Sequence, residues 1–271
     1  MKQEMKELSA LFSDIHAHYG VDFRNYSMTC LGRRVDWFMQ KERLSNLAML
    51  KHQVLEDGVL FSRFRAGLSL GVTQMFRDPE VFKYLREVIL PRLAPFPFLR
   101  FWSAGTSTGE EAYSLAILLE EAGLYNRSLI YATDHLDHRL KRAGAGFFPL
   151  RDMARHTRNY YDSGGKTSFS QYFRLEGEWA IIDRRLRRNM VVSPHCIASD
   201  GVFNQFHLIL CRNVLIYFNA KLKERALTLF TESLMTRGFL CLGSKESLIS
   251  LQANVFYEKI NEKERIFRKL S

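Results

Sequence analysis

Cysteine is scarce in this chain. Its four residues, Cys30, Cys196, Cys211 and Cys241, stand far apart with no C-x-x-C pair among them. That spacing excludes a disulfide framework or a cysteine-rich zinc site and predicts buried free thiols in a reducing compartment. Long apolar runs are missing too. Nothing approaches the roughly 18 residues of a membrane span, and the opening MKQEMKELSALFSDI interleaves acids and bases with apolar residues where a signal peptide would be continuous. The expectation is a cytoplasmic protein that does not insert into membranes. Proline is rare, and three of the six residues fall together at Pro91, Pro95 and Pro97 in VILPRLAPFPF, a segment expected to stop any helix and serve as a connector. Histidine is absent from the final 64 residues, beyond His207. No internal repeat or low-complexity tract interrupts the 271 residues.

What is present is material for a large core, 46% hydrophobic and 13% aromatic, enough for one big domain with a small satellite. The formal charge of +10 is unevenly placed: residues 137–190 hold ten Arg and two Lys against four Asp and two Glu. Such asymmetry points to an acidic partner or a nucleic acid, with charge scattered over a solvated face as the bland alternative.

Residues 1–70 read as a helical domain, with Met5, Leu8, Leu11, Phe12 and Ile15 on one face and later Val35, Phe38, Leu44, Leu47 and Leu50 among charges. Residues 71–97 form the connector, and the grammar changes over 98–271. LRFWSA (99–104), SLIYATD (128–134), FHLILC (206–211) and FLCLGS (239–244) read as strands. EEAYSLAILLEEAG, a segment through Leu136, Leu140 and Ala143, and the residues after Asn219 read as helices. The alternation predicts an α/β domain with a doubly wound, mainly parallel sheet. Within it, residues 168–193 read as an inserted antiparallel β-subdomain, with a hairpin about Glu176-Gly177-Glu178 and the cluster Arg184, Arg185, Arg187 and Arg188.

The stretch SAGTSTGEE (103–111) contains G-x-S-x-G in a strand–turn–helix context, as a serine hydrolase's nucleophile elbow does. In that fold several strands precede the serine, and an acid and then a histidine follow it. Here LRFWSA is the first strand and the last histidine, His207, sits in a strand pattern, so Ser107 is not expected to be a nucleophile. A strand ending in a glycine turn that opens a helix, followed by a strand ending in an acid, is instead a nucleoside half-site. The glycines admit close backbone approach, the helix N-terminus favours a negative group, and the acid accepts from ribose hydroxyls. That acid would be Asp134. The loop is G-x-x-x-G rather than G-x-G-x-x-G, which suits S-adenosylmethionine better than a dinucleotide, with Glu110 meeting its ammonium. Ser107 or Thr108 is expected to cap the following helix, each having a glutamate three residues on.

SAGTSTGEEAYSL, IYATD, LILCRNVLIYF, LGSKESL and the earlier TQMFRDPEVF together resemble the CheR-type chemotaxis methyltransferases over most of the chain, with STGEE and RNVLIYF the specific part. The resemblance implies a Rossmann-like S-adenosylmethionine-dependent methyltransferase domain with an N-terminal all-helical domain and a small inserted antiparallel β-subdomain. It implies methyl transfer to glutamate side chains of methyl-accepting chemotaxis receptors, acidic helical bundles, with S-adenosylhomocysteine as product. It also implies cofactor contacts from Thr73, Arg77, Ala104, Gly105, Glu110, Asp134, Cys196, Ile197, Arg212 and Asn213, and a catalytic pair, Arg212 and Tyr217, near the methyl acceptor. A monomer without metal or nucleic acid is expected. Three departures from the family pattern stand out: Gly71 replaces an asparagine, Cys196-Ile197 replaces a frequent Asn-Leu pair, and Ala112 replaces the proline after GEE. The first two remove polar contacts at the cofactor; alanine suits a first helical turn.

A glutamate carboxylate is ionised near pH 7, so its methylation needs orientation more than a strong base. Arg212 is expected to grip the acceptor with paired hydrogen bonds and Tyr217 to orient it. The 184–188 arginines, or Arg33, Arg34, Lys41 and Arg43, are expected to steer the receptor. A non-catalytic S-adenosylmethionine-binding sensor of the same fold is the alternative. A nucleic-acid methyltransferase is disfavoured by the lack of an N-P-P-Y-like or Pro-Cys motif.

Overall fold

The computed structural model describes residues 2–24, 26–68, 73–248 and 255–271. They divide into two compact units, Met1–Gly71 with Leu215–Arg225, and Val72–Val214 with Ala226–Ser271. Among the described residues no helix is long and apolar enough to cross a membrane.

The first unit is helical: α1 (Lys2–Tyr19), α2 (Met28–Glu42), α3 (Leu47–Glu56) and α4 (Gly58–Leu68). Leu8, Leu11, Phe12 and Ile15 of α1 share a core with Val35 and Phe38 of α2, Leu50 of α3 and Phe64 of α4. Met5, expected on the same stripe, is 48% exposed and lies outside that core. Side chains set two helix starts: Ser27 Oγ accepts from the Cys30 N–H at 3.4 Å and Asn46 Oδ1 from the Met49 N–H at 2.8 Å, as N-cap preferences dictate. The 215–225 segment belongs here. Tyr26 and Phe218 form an antiparallel bridge, and the Tyr217 carbonyl accepts from the Ser27 N–H at 2.7 Å.

The second unit runs α5 (Pro79–Tyr84), a π-helical turn (Leu85–Ile89), α6 (Leu90–Leu93), β1 (Leu99–Ala104), α7 (Glu110–Glu121), β2 (Ser128–Asp134), α8 (Asp137–Ala145), β3 (Phe147–Pro149) and α9 (Met153–Asp162). It continues with β4 (Phe173–Glu176), β5 (Trp179–Ile182), β6 (Met190–Pro194), β7 (Phe206–Cys211), the part of α10 (Ala220–Ser233) from Ala226 on, β8 (Leu234–Leu242), β9 (Tyr257–Asn261) and β10 (Ile266–Lys269). Helix runs through Pro91, where a break was expected. The preceding turn widens, with the Leu90 N–H on the Leu85 carbonyl, and Pro91 falls in the first turn of α6. There its missing N–H and its ring make no demand on a carbonyl four residues back.

The large sheet has the order β6-β2-β1-β7-β8-β10-β9. β1 pairs in parallel with β2, from Leu99↔Ser128 to Ala104↔Thr133, and with β7, from Phe101↔Leu208; β10 alone runs antiparallel to its two neighbours. Every residue of β7 is buried, as FHLILC, apolar but for His207, requires of a strand covered on both faces. Strand order reverses between β1 and β7, and in such sheets ligands bind outside the carboxyl ends at that reversal. A second, three-stranded sheet has the order β3-β5-β4. Its β4–β5 hairpin pairs Phe173↔Ile182 through Glu176↔Trp179, the hairpin read from sequence. Its third strand comes from before residue 168, and β6, inside the expected 168–193 span, instead pairs with β2 in the large sheet. Three residues of β3 are too few for alternation to register in sequence.

α9 carries His156, 2% exposed, its Nδ1 without a partner among the described residues. Burial pushes its pKa down to about 4 from 6.5, against the pull of Asp152 and with the help of Arg155. A histidine whose pKa is lower in the folded chain stabilises the fold above pH 6.5 and loses that contribution as pH falls from 6.5 toward 4. At 1.36 kcal/mol per pK unit the contribution approaches about 3 kcal/mol. The wild-type melting temperature should therefore fall further between pH 7.5 and pH 5 than that of His156→Leu, measured by thermal denaturation; equal falls would remove His156 as a cause.

Candidate functional site

Beyond β1 the chain turns through Gly105, Ser107 and Gly109 with φ of 79°, 54° and 96°, a left-handed succession in which glycine is at home and serine is not. A Cβ on Gly105 would lie 2.6 Å from Val214 Cγ2, and one on Gly109 3.1 Å from Ala143 Cβ. The Gly105 and Thr106 N–H groups both donate to the Thr133 carbonyl at 2.8 Å. Asp134, closing β2 and 4% exposed, accepts from the Ser107 N–H at 3.0 Å and from the Leu136 N–H at 3.1 Å. One carboxylate thus joins the turn after β1 to the turn after β2. The Ser107 hydroxyl is buried with no hydrogen-bond partner among the described residues, so no histidine activates it. Ser107→Ala should lose no more than about tenfold in initial rate, the worth of one hydrogen bond, where removal of a nucleophile would abolish turnover.

Neither Ser107 nor Thr108 caps α7. Its N-cap is Gly109, with no side-chain cap, and the Thr108 hydroxyl lies 2.6 and 2.8 Å from the two carboxylate oxygens of Glu110. The left-handed turn spends that hydroxyl on the carboxylate and not on a helix amide. Glu110 is 5% exposed, and burial raises its pKa against the Thr108 hydrogen bond. It forms no ion pair among the described residues. A buried carboxylate of that kind calls for a cation, and the unpartnered Thr106 and Ser107 hydroxyls offer donors in the same turn. Ammonium, carboxylate and ribose hydroxyls of S-adenosylmethionine match this set of Glu110, turn donors and Asp134.

Thr73 and Arg77 precede α5 in a segment held against α7. The Phe76 N–H donates to Ser114 Oγ at 2.8 Å, and that hydroxyl donates to the Glu110 carbonyl at 2.6 Å. Asn159 Nδ2 donates to the Met75 carbonyl at 3.0 Å. Arg212, just past β7, reaches the same segment: its Nη2 donates to the Arg77 carbonyl at 2.8 Å and to Asp78 Oδ2 at 2.7 Å, while Nη1 lies 3.4 Å from Glu111 Oε2. Its side chain is 2% exposed, and its guanidinium lies over the Phe82 ring at 5.5 Å. Burial opposes its charge, but Glu111 and Asp78 outweigh burial and raise its pKa. Three internal acceptors thus bridge this guanidinium to the segment before α5 and to α7, while its buried Nε has no partner among the described residues, so two of its five N–H groups remain for the expected grip on a second carboxylate. Glu111 is itself raised by burial, against Arg212 and the Ser103 hydroxyl, which donates to it at 2.9 Å.

Ala104 ends β1, buried. Asn213 has φ 61°, and its N–H donates to Glu246 Oε2 at 3.1 Å; the same oxygen accepts from the Gly243 N–H at 2.6 Å. Cys196 and the buried Ile197 follow β6 in a turn anchored beside Asp134, where the His195 N–H donates to the Asp134 carbonyl at 3.1 Å and the Cys196 N–H to Asp200 Oδ2 at 2.9 Å. Tyr217 is described within the helical unit. Gly71 lies outside the described residues. Sequence reasoning passed over Ser103, Asp78, Glu111, Ser114 and Glu246. Their signal was position inside the quoted motifs, with no local pattern to name their partners.

Comparison with known proteins agrees with this architecture. Residues 6–69 match the family model described as CheR methyltransferase, all-alpha domain, and residues 71–265 match CheR methyltransferase, SAM binding domain. The Putative methyltransferase Cher3 of Pseudomonas putida is 42% identical over 263 residues, 97% of this chain and 96% of that protein. A Chemotaxis protein methyltransferase of Listeria monocytogenes is 32% identical over 233 residues, 85% and 86% of the two chains. Chemotaxis protein methyltransferase 1 of Pseudomonas aeruginosa is 28% identical over 233 residues, 80% and 81% of the two. With a helical unit, a sheet reversing between β1 and β7, and donors matched to S-adenosylmethionine, the chain belongs to the CheR methyltransferase family.

Proposed function

We propose that this protein methylates glutamate side chains of methyl-accepting chemotaxis receptors, forming glutamyl methyl esters, and that it does so as a cytoplasmic monomer. The observation that carries this reading is that relatives named chemotaxis protein methyltransferase align over both its helical and its cofactor-binding portions, across 85% of the chain in one case. When bound, S-adenosylmethionine supplies an activated methyl group. Glu110 would hold its ammonium and Asp134 its ribose, with Thr73, Arg77, Ala104, Gly105, Cys196, Ile197 and Asn213 around them. The acceptor is ionised at neutral pH. The residues of the chain therefore orient that carboxylate and keep water from it, a task we assign to Arg212, which also holds the Arg77 backbone.

Receptor recognition falls to the basic insert. A cavity of about 650 Å³ is lined by Phe173, Ile181, Ile182 and Asp183 together with Arg174, Arg184, Arg187 and Arg188. Arg188 is engaged by Asn126 and the Tyr125 ring, whereas Arg184 and Arg187 are exposed and form no hydrogen bond or ion pair among the described residues. Such unpaired guanidinium groups complement acidic helices and speed encounter.

The test is transfer of labelled methyl to receptor-containing membranes, followed by alkali to release methanol. Base-labile label on receptor supports the proposal; label stable to alkali overturns it. Tight S-adenosylhomocysteine binding with no transfer to any receptor would favour a non-catalytic sensor. Arg184→Glu with Arg187→Glu should lower kcat/KM for receptor by about tenfold and leave cofactor affinity unchanged; unchanged receptor turnover would remove the insert from recognition.

A further inference from the structure

We propose that Asp78 and Glu111 are positioning residues for methyl transfer. Acting from opposite sides of Arg212, they hold the Thr73–Asp78 segment against the carboxyl ends of β1 and β7 in a backbone shape it would not keep alone. The proposal rests on the methyltransferase reading and does not depend on which acceptor is methylated.

The segment's backbone is the first observation. Phe76 and Asp78 have φ of 51° and 55°, so Arg77 is flanked on both sides by non-glycine residues in the left-handed region. L-residues with side chains rarely adopt that conformation, and where they cluster the surroundings must hold them there. The second is Asp78 itself. It occupies the N-cap position of α5, yet its side chain caps nothing in that helix. Aspartate at an N-cap ordinarily accepts from the first turn; here Oδ2 accepts from Arg212 Nη2 at 2.7 Å instead. The third is how Arg212 is aimed. The Nη2 that meets Asp78 also holds the Arg77 carbonyl at 2.8 Å, fixing the peptide unit between the two left-handed residues. The opposite nitrogen faces Glu111, which the Ser103 hydroxyl steadies from β1 at 2.9 Å. The chain of contacts runs from β1 through Ser103, Glu111 and Arg212 to Asp78 and the Arg77 backbone. Removing either carboxylate frees one fork of the guanidinium and loosens the segment that carries Thr73 and Arg77.

The experiment is calorimetric titration of S-adenosylhomocysteine into the full chain. Asp78→Asn should bind about tenfold more weakly with a melting temperature near wild type, because the Asp78 side chain is 41% exposed and its loss leaves no buried void. Glu111→Gln should also bind about tenfold more weakly. Their double variant should bind no more than about threefold worse than the weaker single, since both act through one guanidinium. If Glu111→Gln does not fold, Ser103→Ala takes its place in the cycle with the same expectation. Wild-type affinity in Asp78→Asn, or losses that multiply to about a hundredfold in the double variant, would overturn the proposal. A residue that is merely structural would lower the melting temperature and leave affinity unchanged. The readout involves no receptor, so a failure to methylate receptor leaves this test intact.

Discussion

Asp134→Asn should lose between about tenfold and about a hundredfold in S-adenosylhomocysteine affinity. Both carboxylate oxygens of Asp134 accept backbone N–H groups, from Ser107 at 3.0 Å and Leu136 at 3.1 Å. Asparagine has one acceptor oxygen, so its amide nitrogen must face one of these donors. A buried donor left facing another donor costs about 1–3 kcal/mol, and the turn must shift to relieve it. That turn holds the unpartnered Thr106 and Ser107 hydroxyls and leads into Glu110, so the cofactor donors move together. Calorimetry of the variant decides the matter. Affinity within threefold of wild type would mean that the glycines and the Thr133 carbonyl hold the turn without Asp134.

Arg212→Ala should destabilise the second unit by about 3–5 kcal/mol, the usual result of leaving one member of a buried ion pair behind. Glu111 would remain in the interior with only the Ser103 hydroxyl as a partner, and the space over the Phe82 ring would empty. A melting temperature lower by about 10 °C is expected for a unit of this size. The loss should depend on pH in a defined direction. Burial already raises the Glu111 pKa and Arg212 opposes that rise, so removing the arginine raises it further. The charged-state penalty is then present at high pH and relieved as the carboxyl takes up a proton, and the deficit relative to wild type should shrink from pH 7.5 to pH 5.5. Melts of both proteins across that range test it. A deficit that grows on acidification would place the instability somewhere other than Glu111.

Much of the fold was legible because its causes are local. LRFWSA, SLIYATD and FHLILC became β1, β2 and β7 with the boundaries read from the sequence, since continuous apolar runs between turn residues have few other uses. The glycine turn and the two acids Glu110 and Asp134 were legible for the same reason: a strand, a turn that needs φ > 0 and a helix start are adjacent in the chain. Where two local explanations competed, sequence chose less well. Thr108 satisfied a capping pattern with Glu111, but in the folded turn its hydroxyl meets Glu110. Pro91 satisfied a helix-break rule, but the π-helical turn before it removed the conflict.

Sequence by itself determined the two-part organisation of helices followed by alternating strands and helices, the basic insert, and the kind of ligand the glycine turn would suit. Those follow from hydrophobic period, glycine placement and charge count, all properties of neighbours in the chain. Only the tertiary structure decided which groups meet Arg212, bridging it to Asp78 and Glu111. Its partners Asp78 and Glu111 lie 134 and 101 residues away, and no periodicity links them. An ion pair forms where the fold brings opposite charges together out of water, and that coincidence exists only after β1, β7 and the segment before α5 have packed against one another.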